Sequence, residues 1–398
     1  MKIMSIAGAR PNFMKLASIA RAAESYNRKL DKSGHDNTNR IHHIIVHTGQ
    51  HYDEKMSKAF FDELGIPKPD INLEVGSGSH AVQTAEIMKR FEQVLLKELP
   101  DVIIVVGDVN STIACTLVAA KIEYPAGHHR KRPAIVHVEA GLRSFDRDMP
   151  EEINRILTDS LSDLLFVTEQ SGIQNLQKEG VSKEKTHLVG NVMIDTLIDH
   201  LEKAKKSKIK ELLSINGRYG LVTLHRPSNV DNLHSLEPII SALHSISHDI
   251  PLYFPAHPRT LQKIEQFGLK DFFNWQFMQE ASHVNLSDST DSSIYLTPPL
   301  GYLDFLNLTA EAAIVITDSG GIQEETTFLG VPCVTLRDNT ERPVTVTEGT
   351  NYLIGTDPKK ILATVNAILA GQKKKSNIPQ FWDGKAGKRI IDIIVKTA

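Results

Sequence analysis

A chain of 398 residues exceeds what one compact core usually serves, so two domains are expected. Its 45 Lys and Arg against 48 Asp and Glu leave a formal net charge of −3, which gives no general pull toward nucleic acid or an anionic membrane. The two cysteines, Cys115 in ACTLVAA and Cys333 in GVPCVTL, exclude a disulfide framework, lack metal-ligand spacing, and read as buried thiols of a reducing compartment.

The opening MKIMSIAGAR is too short for a secretory apolar region, and no segment reaches the roughly 18 uninterrupted apolar residues of a membrane span. A soluble, cytoplasmic chain is expected. Short continuous apolar runs at residues 2–7, 43–48, 102–106, 134–138 and 164–168 read as strands covered on both faces. Helical patterns at 79–99 and 112–121 lie between them, and such alternation implies a parallel sheet flanked by helices. Residues 200–217 are lysine-rich, end in a Gly turn, and read as a solvated helix and linker. A second series of strands follows at 220–224, 252–255, 294–297, 313–317 and 333–336.

The two series share a weak pattern. A strand followed by Arg10-Pro11 and a later strand ending in Asp108 are matched by Arg226-Pro227 and Asp318. The paired features stand roughly 95 residues apart in each half, too far for a solenoid repeat. Two doubly wound domains explain the pattern. Ligands of such sheets bind beyond the carboxyl ends of the strands, where all these motifs fall, so function is expected in a cleft between domains.

Each motif has a physical reading and a plainer one. In Gly8-Ala9-Arg10-Pro11-Asn12, with Lys15 one turn on, cations at a helix start favour phosphate; an ordinary surface arginine is the alternative. Asp108 either faces a ligand or caps a helix, with Ser111 and Thr112 as rival caps. Glu139 directly follows a buried strand, where desolvation favours the neutral form of a carboxylate and suits a general acid. Arg143, Glu151, Glu152 and Arg155 follow, with Glu151 and Arg155 spaced for a surface ion pair. His225-Arg226 ends the first strand of the second series, and a histidine there can donate to a leaving phosphate or be structural. Ser319-Gly320-Gly321 opens a helix whose backbone amides suit a diphosphate, with Glu325 a turn later for a ribose; an ordinary Gly-rich turn is the alternative. The segment 337–343, with Arg342, lines a cleft or is a plain loop.

Taken jointly, GARP with Lys15, VVGD, HVEAGLRSFDRDMPEEINR, VGNVMIDTL, LHRPSNVDN, TDSGGIQEE and RDNTERP resemble the non-hydrolysing UDP-N-acetylglucosamine 2-epimerases, in family order and over nearly the whole chain. The resemblance implies an α/β fold of two Rossmann-like doubly wound domains facing a central cleft, as in GT-B glycosyltransferases. It places the N-terminal domain at 1–190 and the UDP-binding domain at 191–380, with a C-terminal helix within 381–398 crossing back to the first. It also implies a homodimer, a UDP-sugar substrate, no metal or nicotinamide cofactor, and a role in polysaccharide precursor supply. The implied chemistry is loss of the C2 proton with departure of UDP to give a 2-acetamidoglucal, then re-addition with protonation on the opposite face. Asp108, Glu139 and Glu151 become the acid/base candidates. His225 and Arg10 hold or protonate the departing diphosphate, with cationic support from Lys15, Arg143 and Arg155. Ser319, Gly320 and Gly321 bind phosphates, Glu325 the ribose, and Phe305 lies near uracil; Arg226 and Arg342 are further substrate-binding candidates.

Three departures stand out. Asn12, Ser228 and Val344 occupy positions where the family usually has acids. A less acidic cleft suits a more acidic sugar, which motivates a second substrate, UDP-2,3-diacetamido-2,3-dideoxyglucuronate. Gln50-His51 match the regulatory pair of bacterial relatives, but Asp53 and Glu86 stand where glutamine and arginine are expected, so substrate self-activation is expected to be weak or absent. The competing classes are a hydrolysing relative releasing N-acetylmannosamine, a GT-B glycosyltransferase, which would need an acceptor groove, and a non-catalytic nucleotide-sugar binder, which would have no need of the three acids.

Overall fold

A computed structural model describes residues 1–33, 40–49, 65, 67–278 and 293–397. The chain divides into two compact units, Met1–Asp199 with Gln380–Ala398, and His200–Pro379. The first unit thus runs on to Asp199 rather than stopping at 190. The reason lies in the helix Val192–Ala204: its Asp195 accepts hydrogen bonds from Ser18 Oγ at 2.6 Å and Gly387 N at 2.8 Å, and Thr196 donates to Met14 O, all within the first unit.

The first unit holds strands β1 (Lys2–Ala7), β2 (His42–His47), β3 (Ile71–Asn72), β4 (Val102–Val106), β5 (Ala134–Ala140), β6 (Leu164–Val167) and β7 (Thr186–Leu188). They form one parallel sheet in the order β3-β2-β1-β4-β5-β6-β7. The second unit holds β8 (Gly220–Thr223), β9 (Leu252–Pro255), β10 (Ile294–Thr297), β11 (Ile314–Thr317), β12 (Cys333–Thr335) and β13 (Asn351–Leu353), in the order β10-β9-β8-β11-β12-β13. Both have the Rossmann-like order in which the winding reverses between the first and fourth strands, so each has a switch point, at β1/β4 and at β8/β11. The short strands β3, β7 and β13 carry too few apolar residues to be read from sequence.

Local chemistry explains the elements. Strand β4, VIIVV, is buried throughout, as a central parallel strand must be. The helix His80–Glu98 starts where the Ser79 side chain accepts from Val82 N and stops at Leu99, which takes a left-handed conformation. Its buried Gln83, Ile87, Phe91 and Leu95 recur every fourth residue, one stripe against the sheet. Burial of each such apolar side chain stabilises by about 1.5–3 kcal/mol. The lysine-rich stretch is more than a linker: Lys203, Lys205, Lys206 and Lys208 are exposed, but Ile209 and Leu213 join a core with Tyr219, Leu221 and Tyr253.

The final helix, Ala386–Thr397, belongs to the first unit and packs on the helix Arg10–Ser33. A Cβ on Gly387 would collide with Ser18 Oγ and backbone, so only glycine lets the two helices approach this closely. No helix among the described residues is long and apolar enough to cross a membrane.

Candidate active site

In the first unit the polar motifs converge beyond β1, β4 and β5. The β1 turn is built by Asn12, whose Oδ1 accepts from Gly8 N at 3.1 Å and Ala9 N at 2.8 Å and whose Nδ2 donates to Val106 O at 3.1 Å. An acid at this position could not make the last bond. One turn later, Lys15 Nζ donates to Glu139 Oε2 at 2.6 Å, with both side chains buried. Glu139 Oε1 is buried and has no hydrogen-bond partner among the described residues. Glu139 also has φ 71°, and the β5/β6 register slips between Val138 and Ala140. A non-glycine residue held in that region at a bulge is a feature of functional sites.

Asp108 does not cap a helix. The cap of Asn110–Lys121 is Val109, with no side-chain bond, and the Asp108 carboxylate instead accepts from Arg155 Nε at 2.9 Å and Nη2 at 2.7 Å. Arg155 Nη1 donates to Glu152 Oε2 at 2.6 Å, so the ion pair expected with Glu151 is made with its neighbour and with Asp108. Glu152 also accepts from the backbone N–H groups of Ser144 and Phe145. Glu151 is half-buried and has no hydrogen-bond or ion-pair partner among the described residues.

Arg143 is placed differently from a substrate-binding cation. Its guanidinium is buried and donates to Glu179 at 2.8 and 2.6 Å and to Leu142 O, and pairs with Asp159 at 2.7 Å. Burial works against its charge, but Glu179 and Asp159 outweigh that and raise its pKa. The Arg10 side chain lies outside the described residues, as do Gln50, His51 and Asp53; Glu86 pairs on the surface with Lys89.

In the second unit the motifs meet at the β8/β11 switch point. Asp318, fully buried at the end of β11, accepts from His225 N, Arg226 N and Asn229 Nδ2 and from His225 Nδ1 at 2.9 Å. Burial works to raise its pKa, yet these donors hold it below the usual carboxylate range. The carboxylate fixes Nδ1 as a donor, so Nε2 of the half-exposed His225 ring is the atom presented to a ligand. Arg226 Nε donates to Asp318 O.

Ser319 precedes the helix Gly320–Leu329 and makes no side-chain cap bond, which leaves the first helical amides and its own hydroxyl for an anion. A Cβ on Gly320 would lie 2.6 Å from Arg342 Nη1, so the guanidinium rests against this helix start. Arg342 is itself paired with Glu324 at 2.8 Å and Glu341 at 2.5 Å. A cavity of about 250 Å³ is lined by His225, Ser319, Ile322, Pro299, Leu300 and Phe305, among others. Glu325 lies a turn further along, buried, with the Tyr302 hydroxyl donating to it at 3.4 Å; burial pushes it up to about 7.

The described residues contain no group of three or more His, Cys, Asp or Glu suited to a metal ion. Both cysteines are buried and unpaired, and burial pushes the Cys333 thiol up to about 11. Sequence reasoning gave no role to Glu152, Asp159, His137 or Tyr302. A signal for two of them exists: Glu152, Arg155 and Asp159 form a polar stripe at spacings of three and four, and this stripe faces inward while Ile153 and Leu157 face solvent.

Comparison with known proteins gives the family and the fold. The family profile described as UDP-N-acetylglucosamine 2-epimerase matches residues 34–395. The chain is 41% identical over 399 residues to a UDP-N-acetylglucosamine 2-epimerase of Methanococcus maripaludis, spanning 99% of this chain and 98% of that protein. It is 38% identical over 399 residues to a UDP-2,3-diacetamido-2,3-dideoxy-D-glucuronate 2-epimerase of Pseudomonas aeruginosa, spanning 100% of each. Its fold is similar to that of the Methanocaldococcus jannaschii UDP-GlcNAc 2-epimerase solved with UDP-GlcNAc and UDP, with a TM-score of 0.82, 41% identity and 100% of each chain covered.

Proposed function

We propose, since this chain belongs to the UDP-N-acetylglucosamine 2-epimerase family, that it interconverts UDP-N-acetylglucosamine and UDP-N-acetylmannosamine by elimination and re-addition of UDP. A carboxylate of the first unit takes the proton from C2 as the C1–oxygen bond breaks, and UDP departs to leave a 2-acetamidoglucal. UDP then returns to C1 while a second acid protonates C2 from the opposite face. Asp108, Glu139 and Glu151 supply these groups, with Lys15 and Arg155 as the cations that hold two of them. In the second unit Ser319, Gly320 and Gly321 take the diphosphate, with Arg226 and Arg342 as its cationic surroundings, and Arg10 of the first unit is a further candidate cation for it. His225 Nε2 meets the leaving oxygen, Glu325 the ribose hydroxyls, and Phe305 the uracil face. An elimination needs a base at carbon and charge stabilisation at the leaving group, and both residue classes are present. Assembly as a homodimer belongs to the same proposal, and the exposed apolar pair Ile153 and Leu157 suits it.

The observation that carries this reading is Glu139: buried, paired with Lys15, one oxygen unsatisfied, and held at a positive φ. A protein that only bound UDP would have no use for it. The test is an NMR time course with UDP-N-acetylglucosamine in deuterated water. UDP-N-acetylmannosamine carrying deuterium at C2 is the expected product. Retention of the proton at C2 would sink the elimination route, and free N-acetylmannosamine would mark a hydrolysing enzyme.

A second reading, 2-epimerisation of the diacetamido uronate, is favoured by the 38% identity to the Pseudomonas aeruginosa relative. Its other support narrows in the structure. Asn12 and Val344 are buried, and Asn12 spends its polar atoms on backbone, so of the three missing acids only Ser228 is exposed. A higher kcat/KM for the uronate than for UDP-N-acetylglucosamine would establish this reading.

A further inference from the structure

The positive φ of Glu139 raises a question of support. Such a conformation costs about 1–3 kcal/mol and persists only where its surroundings over-determine it. Lys15 holds the carboxylate but not the backbone. The backbone just beyond Glu139 is held by Asp159, on the helix Pro150–Leu161, through Gly141 N.

Asp159 is buried and has three donors. His137 Nδ1 lies 2.6 Å from Oδ1, Gly141 N lies 3.0 Å from Oδ2, and Arg143 Nη2 lies 2.7 Å from Oδ2. Gly141 is two residues beyond Glu139 and has φ 78°, and a Cβ there would lie 2.5 Å from the Gly172 carbonyl oxygen. His137 reaches the other loop. Its Nε2 lies 2.9 Å from the carbonyl of Gly107, the residue before Asp108. A carbonyl oxygen and a carboxylate both only accept, so a ring between them satisfies both only by donating from each nitrogen. Burial works to raise the pKa of Asp159, but His137 and Arg143 outweigh it and keep it ionised. The charges facing this pair are Arg143 and, beyond it, the Glu179 carboxylate.

We propose that Asp159, directly and through a doubly protonated His137, is the positioning residue that holds Asp108 and Glu139 in mutual register. One carboxylate ties the end of β4 and the end of β5 to a single point. Neither Asp159 nor His137 touches substrate. The inference deepens the 2-epimerase reading and rests on it for its kinetic test.

The experiment uses the full-length chain and its Asp159→Asn variant. An asparagine keeps the shape but offers one acceptor atom where the carboxylate offers two. The kcat for UDP-N-acetylglucosamine, counted per UDP-binding molecule by calorimetric titration, should fall by about 100-fold, with UDP affinity and KM unchanged within about threefold. Because UDP reports chiefly the second unit, the count is restricted to variant protein whose first-unit urea transition matches the wild type, which removes loss of folded protein, the only loss a merely structural role would produce. In parallel, proton–nitrogen NMR of the wild-type His137 ring at neutral pH should show a proton on each ring nitrogen. A bare ring nitrogen, or an unchanged kcat per UDP-binding molecule, overturns the proposal. If the variant does not fold, or if the wild type does not epimerise this sugar, the ring spectrum of the wild type decides the wiring by itself, and in the latter case it is the choice of UDP-N-acetylglucosamine as substrate that falls.

Discussion

Several side chains do work that their identity alone does not announce. Asn12 stands where the resemblance implies an acid, yet it serves the β1 turn by both donating and accepting. Asp318, read as the end of a strand, organises the whole β8 turn through His225, Arg226 and Asn229. Glu325 shows how burial tunes a group. It is raised from an ordinary value of 4.5 to about 7 by burial, opposed by the Tyr302 hydroxyl and assisted by the charge of Glu324. Between these two values the folded chain binds more protons than the unfolded one, so stability is full below about 4.5 and falls as pH rises through about 7. Replacing Glu325 by Gln removes a penalty on the order of 3 kcal/mol above about pH 7. Urea unfolding should therefore place the variant above the wild type at about pH 8 and level with it at about pH 4.5. The proposed ribose contact adds that UDP binding below about pH 7 releases a proton, which calorimetry in buffers of different ionisation enthalpy will read.

At the scale of elements, two helix starts behave oppositely. The helix His80–Glu98 is closed by Ser79, while Gly320–Leu329 has no side-chain cap and keeps its first amides available. Gly321 has open space where a Cβ would be, and its φ is not in the left-handed region. Gly321→Ala should therefore leave the unliganded fold as stable or more stable by about 0.4–1 kcal/mol, through the unfolded chain. The same methyl group blocks close approach of a phosphate, so UDP affinity should fall by about tenfold or more. Stability and affinity moving in opposite directions, read by thermal unfolding and calorimetry, separates an anion site from an ordinary turn. The helix Pro150–Leu161 departs from the usual pattern in another way. Its inward face is charged because it must supply partners for Asp108, His137 and Arg143.

At the scale of the whole molecule, the chain's last helix completes the unit its first residues began. Trp382, Ile390, Ile391 and Ile394 are buried there, and Asp195 accepts from Ala386 N and Gly387 N. Gly387→Ala forces the helix away from Ser18 and is expected to destabilise the first unit by about 1–3 kcal/mol, seen as an earlier urea transition. UDP binding, whose proposed contacts lie chiefly in the second unit, should be affected far less.

Composition and period were enough to read the central strands, because buried parallel strands are continuous apolar runs; β1, β4, β9 and β10 have the bounds their apolar runs suggest. The motifs were legible for the same reason, since polar residues right after such runs must sit at carboxyl ends. What the sequence by itself determined was therefore the fold class, the two units and the list of polar residues at strand ends. Which of those residues meet was decided by tertiary structure. Lys15 and Glu139 are 124 positions apart, and Asp108 and Arg155 are 47 apart. The switch of Arg155 from Glu151 to Glu152 and Asp108, and the withdrawal of Arg143 into Asp159 and Glu179, follow from which helix face turns inward. Local propensity sets period and caps, but the partner of a buried charge is chosen by the sheet that brings distant strand ends together.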